Sequence, residues 1–409
     1  MGGDSAAPPV SDGAPVPPGE AGELAREAVA ASDVRTSSGE IPLVTVEDTA
    51  GRPEITSTEV GTADEAAAVA EQAAADGNLV AVEVDAPVQV NDVSTDPSRP
   101  QQWALDKVKF EDAWAAAADG GAGQTVAVID TGVKADHEDL AGQVLVGAYF
   151  LHSNDGATAF SGSGGTTDPN GHGTHVSGII AAVANNAKGI AGAAPGVKIL
   201  PVQVLCGSGA GWSSDVANGI TWAADNGATV INLSLGGPFA TSSQQEAIQY
   251  ARSLGVVVVA SAGNSALDGN APSYPGAFPE VIGVGATTNT AANARASYST
   301  TGDYLDLAAP GGEPSSNAAV AVLSTWKDNA SSYRTAAGTS MASPHVAAAA
   351  ALVKAAHPAY TAVEVCTQLI RTADDLGTPV LAPDQEYGYG LVDPLEAVGL
   401  TIPVGATCK

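Results

Sequence analysis

Residues 125–132 read TVAVIDTG. Five β-branched or small apolar residues run straight into Asp130, Thr131 and Gly132. The run does not alternate between apolar and polar, as a strand with one wet face would. A near-continuous apolar strand suits a parallel sheet buried on both faces. The Asp-Thr-Gly that ends it is compatible with ordinary turn chemistry. It is equally compatible with a carboxylate aimed into the crevice beyond a strand's carboxyl end.

The pattern recurs along the chain. VKILPVQVL (197–205), TVINLSL (229–235), VVVVASA (256–262) and VIGVGA (281–286) are further short β-rich runs. Helical stretches lie between and after them, at 174–184, 213–225, 243–254, 340–356 and 361–373. In 243–254, Ala247, Ile248, Ala251 and Leu254 fall on one face. Strand–helix alternation of this kind predicts a doubly wound α/β domain with a mostly parallel sheet. Ligands in such domains bind outside the carboxyl ends of the strands, so the residues that follow each run decide the chemistry.

Composition narrows the field. The chain has 409 residues, 44% of them hydrophobic, enough for one large domain and a smaller one. Its 45 acidic and 16 basic residues leave a net charge of −29, which repels nucleic acid and anionic membranes. No run of 18 apolar residues predicts a membrane span. Three cysteines (Cys206, Cys366 and Cys408) make neither a disulfide framework nor a zinc cluster. One bridge can form; Cys366 and Cys408, flanking the C-terminal segment, are the expected pair, with Cys206 free. The first residues, MGGDSAAPPVSDG, have no basic start and no apolar core, so they do not read as a signal peptide.

Three segments follow from this reading. Residues 1–36, rich in Pro, Gly, Ala and acid, are expected to be disordered. Residues 37–92 form a small α+β unit: strands at 41–47 and 54–60, a helix at 63–76 stopped by Gly77, and a strand at 79–90 that ends in the extended APVQV. A polar joint, NDVSTDPSRP (91–100), leads into the large domain, 93–409.

Four groups stand at the ends of strands or the starts of helices. Asp130 ends the first apolar run. His172 opens a helix of small residues in NGHGTHVSGI (170–179). Asn264 follows VVVVASAG. Ser340 sits in GTSMASPHVA (338–347), at the mouth of an alanine-rich helix, where a serine is either a cap or a nucleophile. Together they fit acyl transfer. A hydroxyl needs a base, and histidine titrates in the right range. An aspartate on the other ring nitrogen fixes the tautomer, and an amide donor with a helix-start N–H receives an oxyanion. A metal reading of His172 with His175 fails for want of the acid such helices carry. His175, His345 and His357 read as packed helix histidines, and His137 and His152 as loop histidines.

VAVIDTGV, GHGTHVSGI and GTSMASPHVA, in that order, resemble the three blocks of the subtilisin-like serine peptidases, the subtilases. NLSLGGP (232–238), ASAGNS (260–265) and AAPGG (308–312) add to the likeness, which covers roughly residues 101–400. The resemblance implies Asp130, His172 and Ser340 as a triad, with Asn264 as the main oxyanion donor and Thr339 as an auxiliary one. It implies that Gly209, Ala210 and Gly211 face Ser234, Leu235 and Gly236 across an extended peptide, and that Trp212, next in the chain, either walls the pocket four residues before the cut or packs in the core. A primary pocket would be lined by Ser261, Ala262, Gly263 and Ser273, with no charge, and so suited to neutral side chains. Catalysis would need no cofactor. A structural Ca²⁺ would be held by Asp139, Asn186 and the carbonyls of Ala184, Lys188 and Ile190, with Asp96 as a further ligand. Residues 37–92 would be a propeptide that folds the enzyme, blocks its cleft and is cut off by the enzyme itself. The expected product is a secreted monomer acting on polypeptides. That no long segment follows residue 400 speaks against the proprotein-convertase branch.

Other readings remain open at this point. A non-catalytic subtilase fold used as a binding module would be expected to have a broken triad, whereas all four groups are present. An esterase or peptide ligase on the same site would share the acyl-enzyme.

Overall fold

The computed structural model describes residues 15–31, 39–49, 53–84, 94–153, 159–376 and 383–399. The chain divides into two units, Met1–Val90 and Asn91–Lys409.

In the first unit, helix α1 (Pro18–Ala31) precedes strands β1 (Ile41–Asp48) and β2 (Pro53–Val60), helix α2 (Ala63–Ala73) and strand β3 (Leu79–Val84). The strands form an antiparallel sheet in the order β2-β1-β3. Thr62 caps α2 by accepting from the Glu65 N–H, and a 3₁₀ turn at Ala74–Asp76 ends at Gly77 in the left-handed conformation (φ 73°). Helix α1 overturns the expectation of disorder through residue 36. Ala21, Ala25 and Val29 recur at helical spacing and pack with Ala66, Ala70, Leu43 and Leu79. Pro18 is the first helical residue, where its fixed φ helps and its missing N–H costs nothing. Composition hid this helix because alanine contributes little to a hydrophobicity count yet allows close packing. The tail APVQV and the joint up to Val93 lie outside the described residues.

The second unit opens with three short helical segments, α3 (Trp103–Lys107), α4 (Phe110–Trp114) and α5 (Ala118–Gly121). Its main sheet holds β4 (Thr125–Asp130), β5 (Gly147–His152), β6 (Ala159–Gly164), β7 (Lys198–Gln203), β8 (Val230–Leu233), β9 (Val257–Ser261), β10 (Ile282–Thr287) and β11 (Leu305–Pro310). The strand order is β11-β10-β9-β8-β4-β7-β5-β6, and every pairing is parallel except β5 with β6. The long helices are α6 (His172–Ala181), α7 (Ser213–Asp225), α8 (Ser242–Ser253), α9 (Thr339–Ala356) and α10 (Ala362–Arg371), and a short α11 (Pro394–Gly399) follows. A hairpin, β12 (Val322–Trp326) and β13 (Ser332–Ala336), precedes α9.

The unbroken apolar runs have their reason here. In β4, Val126 and Val128 join the core under α6, α9 and α10, while Ala127 and Ile129 join the core under α7 and α8. Both faces of each central strand are dry, so both are lined mostly by apolar side chains. Helix α9 runs through the middle of the first core with Ala347–Ala351 wholly buried. Its alanines let the backbone lie close to the sheet.

Some elements escaped the sequence reading. Edge strand β6, AFSGSG, is mostly exposed and carries no apolar signature. Leu254 was placed on the buried face of α8, but the helix ends at Ser253 and Leu254 is 53% exposed. His137 is no surface loop residue: it is buried, accepts from the Asp139 N–H and bonds the Ser332 carbonyl. Cys366 is disulfide-bonded and Cys206 is free, while Cys408 lies outside the described residues. No described helix is long and apolar enough to cross a membrane.

Candidate active site

Strand β4 starts the sheet in its middle, with β7 on one side and β8 on the other. The crevice beyond its carboxyl end is therefore a topological switch point, and Asp130 stands there, fully buried. His172 Nδ1 lies 2.8 Å and 2.9 Å from the two Asp130 carboxylate oxygens. The contact depends on Gly173. A Cβ there would stand 2.2 Å from the Gly132 carbonyl and 3.2 Å from Asp130 Oδ1, so only glycine lets α6 press on the carboxylate.

Asp168 was not singled out in the sequence. Its carboxylate accepts from the Gly171 and Thr174 N–H groups (2.7 and 2.9 Å), from Thr174 Oγ1 and from Thr131 Oγ1. It thereby caps α6 and ties the turn after β4 to the start of the histidine helix. The signal was present in Asp-Pro-Asn-Gly, a turn sequence directly before a helix.

The two histidines of α6 differ in proton affinity. Burial alone would depress His172, but the Asp130 charge and hydrogen bond, with the Asp168 charge behind them, outweigh it, and its pKa lies above the usual histidine value. With Nδ1 on Asp130, His172 turns Nε2 to the cleft, and its side chain remains 29% exposed. His175 is sealed in the core; burial, and then the His172 charge, pull its pKa down to about 3. It donates from Nε2 to the Arg334 carbonyl, while Nδ1 has no partner among the described residues. It is a neutral packing residue. His345 is similar, buried and held by the Met341 carbonyl.

The capping reading of Ser340 fails. The N-cap of α9 is Gly338, with no side-chain cap, and Ser340 lies in the first turn. Its hydroxyl donates to the Ser234 carbonyl at 3.1 Å. Pro344 explains part of this arrangement. Having no N–H, it leaves the Ser340 carbonyl without its helical partner, and Ser234 Oγ donates to that carbonyl at 2.8 Å. Asn232 links the same group to the helix: its Nδ2 donates to Ser234 Oγ and its Oδ1 accepts from Ser343 Oγ. A buried polar chain thus locks the turn that carries Ser340 to the end of β8.

Asn264 follows β9. Its Oδ1 accepts from the Thr339 N–H and from Thr339 Oγ1, both at 3.0 Å. That fixes the amide orientation and leaves Nδ2 unspent. The Ser340 N–H, in the first helical turn, also has no partner among the described residues. A Cβ built on Gly338 would stand 3.6 Å from each of these two donors, so the glycine keeps open the space between them. Thr339 is fully buried, and its hydroxyl donates to Asn264 Oδ1, which orients the Asn264 amide.

A cleft of about 380 Å³ runs past His172. Gly209, Ala210, Gly211 and Trp212 line it together with Ser234, Leu235 and Gly236, and with Leu205, Val216, Phe239 and Tyr274. Both predicted strands of the peptide channel are thus brought to one cleft. Trp212 belongs to it and not to the core, being 49% exposed. Ser261 and Ala262 turn their side chains inward and are buried, so they can offer only backbone. Ser273 lies against Gly236 and Gly263: a Cβ on either glycine would clash with it.

The residues read as cation ligands also meet. Asp139 accepts from Asn186 Nδ2, the Ile190 N–H and the Tyr333 hydroxyl. Asp96 accepts from the N–H groups of Asn185 and Ala187. The carbonyls of Ala184, Lys188 and Ile190 accept no hydrogen bond among the described residues. Burial, with the neighbouring Asp96 charge adding to it, raises the Asp139 pKa to about 6. Orphaned carbonyls beside a desolvated carboxylate fit a hard cation. Asn186 Oδ1 accepts from the Lys188 N–H at 2.8 Å, so the amide turns its nitrogen to Asp139.

Geometry of this kind defines a serine hydrolase built on a doubly wound sheet. Residues 121–390 match the family described as Peptidase_S8, the subtilase family, and the chain belongs to it. It is 42% identical over 275 residues to subtilisin DY of Bacillus licheniformis (67% of this chain, 90% of the relative). It is 43% identical over 277 residues to thermitase of Thermoactinomyces vulgaris (68% and 89%). Among solved structures, proteases from Pseudoalteromonas arctica superpose with a TM-score of 0.66 at 36% identity, covering 75% of this chain and 99% of theirs. The chain is a serine endopeptidase acting on polypeptides.

Proposed function

We propose that Ser340 is the nucleophile, His172 the general base and Asp130 its orienting carboxylate, in an endopeptidase that works through an acyl-enzyme and matures by cutting itself. The observation that carries this reading is His172: Nδ1 is held by Asp130 and the ring opens onto the peptide cleft. In the reaction, Ser340 Oγ leaves the Ser234 carbonyl and attacks the substrate carbonyl carbon while its proton passes to His172 Nε2. Hydrogen bonds of this kind tighten when substrate binds. Asn264 Nδ2 and the Ser340 N–H receive the oxyanion. His172 then gives the proton to the departing amine, and water repeats the sequence on the ester. Asn264→Ala removes one donor of two and is expected to lower kcat about 10²–10³-fold, a magnitude carried over from subtilisin itself. Steady-state assays with KM nearly unchanged would bear this out.

The same reading assigns the small unit, residues 37–92 with α1 added, to a propeptide, and residues 93–409 to the catalytic domain. Wild-type precursor should shorten at a rate independent of its concentration, while Ser340→Ala precursor stays full length on a denaturing gel. A Ser340→Ala chain trimmed near residue 92, in a host without another competent protease, overturns self-processing. Secretion is part of the proposal; the disulfide at Cys366 and the strongly acidic surface support it.

Asp139, Asn186 and the three orphaned carbonyls, with Asp96 beside them, would hold Ca²⁺, which would neutralise the two carboxylates and pin the 184–190 loop. A ligand that binds only the folded state stabilises it by mass action. Excess chelator should therefore lower the melting temperature, and Asp139→Asn should abolish that response. Identical melting curves with and without chelator remove the site.

A further inference from the structure

His152 lies outside every block that marks the family chemistry, yet its ring stands beside Trp212, which lines the cleft. It ends β5, and its Nδ1 stands 2.8 Å from both carboxylate oxygens of Asp215. The pair is mostly dry, with the His152 and Asp215 side chains 17% and 3% exposed. Asp215 sits in the first turn of α7, where a carboxylate is also favoured by the helix dipole. The residue just before that turn is Trp212, whose carbonyl accepts from the Asp215 N–H at 3.0 Å. The Trp212 ring lies 6.0 Å from the His152 ring, centroid to centroid, and its indole nitrogen makes no hydrogen bond among the described residues. The segment Gly209–Trp212 is thus held at two ends. Leu205 bridges Gly211 on one side, and the His152–Asp215 pair anchors the helix start on the other.

We propose that His152 and Asp215 are positioning residues for substrate selection: they hold in place Trp212, to which the family resemblance gives the wall of the pocket four residues before the cut. Truncating either leaves a buried charge or donor without its partner, which is costly, and frees the turn that carries the wall. The inference rests on reading the cleft as a peptide channel, and the test separates the two.

The experiment compares kcat/KM for two tetrapeptide anilides that differ only in the residue farthest from the cut, phenylalanine or glycine. Their ratio does not depend on the fraction of enzyme that folds. The wild type should prefer phenylalanine. His152→Ala and His152→Phe should lower the preference at least fivefold, through KM, with kcat on the glycine peptide within twofold of wild type. His152→Asn places an amide nitrogen the same number of bonds from Cα as Nδ1, so it should keep the preference within twofold. Retention of the preference in both His152→Ala and His152→Phe overturns the inference. Loss of it in His152→Asn to the same degree overturns the route through Asp215. A wild type with no preference overturns the Trp212 wall itself, and this inference with it.

Discussion

Ser340→Ala and His172→Ala should each lower kcat by about 10⁶, and the double variant should be little worse than either, if the members act as a unit as they do in subtilisin, a member of the same family. Without the hydroxyl there is nothing to acylate. Without the imidazole the hydroxyl keeps its proton, since among the described residues no other histidine or carboxylate lines the cleft: His175 is in the core, with its Nε2 on the Arg334 carbonyl. The informative control is His175→Ala. It removes a buried ring packed edge-on against Trp326, so it should cost stability while molecules that still fold retain turnover. Activity per titrated active site separates the two effects. A His175→Ala enzyme that is folded but as dead as His172→Ala would move the base from one histidine to the other.

Asp130→Asn should lower kcat about 10⁴-fold, the size seen when the equivalent carboxylate of a serine protease triad is neutralised. The physical cause is twofold here. An amide facing Nδ1 can present N–H where an acceptor is needed, favouring the wrong tautomer, and it cannot stabilise the imidazolium that forms. The pH profile carries the second signature. Only neutral His172 can take the serine proton, so kcat/KM in the free enzyme rises with pH through the His172 pKa and is lost as pH falls below it. Asp130 raises that pKa above the ordinary histidine value against the pull of burial. Removing the charge leaves burial in command, so the acid limb of Asp130→Asn should move to lower pH while the plateau falls. Profiles measured between about pH 5 and 9 decide the matter. An acid limb that stays in place would mean that another group sets it.

Much of this was legible in the chain itself. Unbroken runs such as TVAVI announced strands buried on both faces, because a residue with helices above and below has no wet side on which to be polar. Asp130, His172, Asn264 and Ser340 could be named because each follows an element whose end is marked by glycine or by a change of period, and because their chemistry is complementary. Their order in three sequence blocks then pointed to the family.

Other features depend on residues far apart in sequence and only the tertiary structure decided them. The choice between His172 and His175 is one: three residues apart on the same helix, they differ because one meets Asp130 and the other is walled in by β12 and β13. Thr339 is another, its single proton claimed by an asparagine 75 residues away. Pro344 reads as a helix breaker in sequence, yet in the fold it frees a carbonyl that Ser234 takes. Helix α1 was missed because alanines declare a core only when something packs on them. His152 looked like a loop histidine until β5 brought it to Asp215. In each case the sequence supplies the group, but its partner, and hence its charge, proton and freedom to turn, is set by a contact that local pattern does not encode.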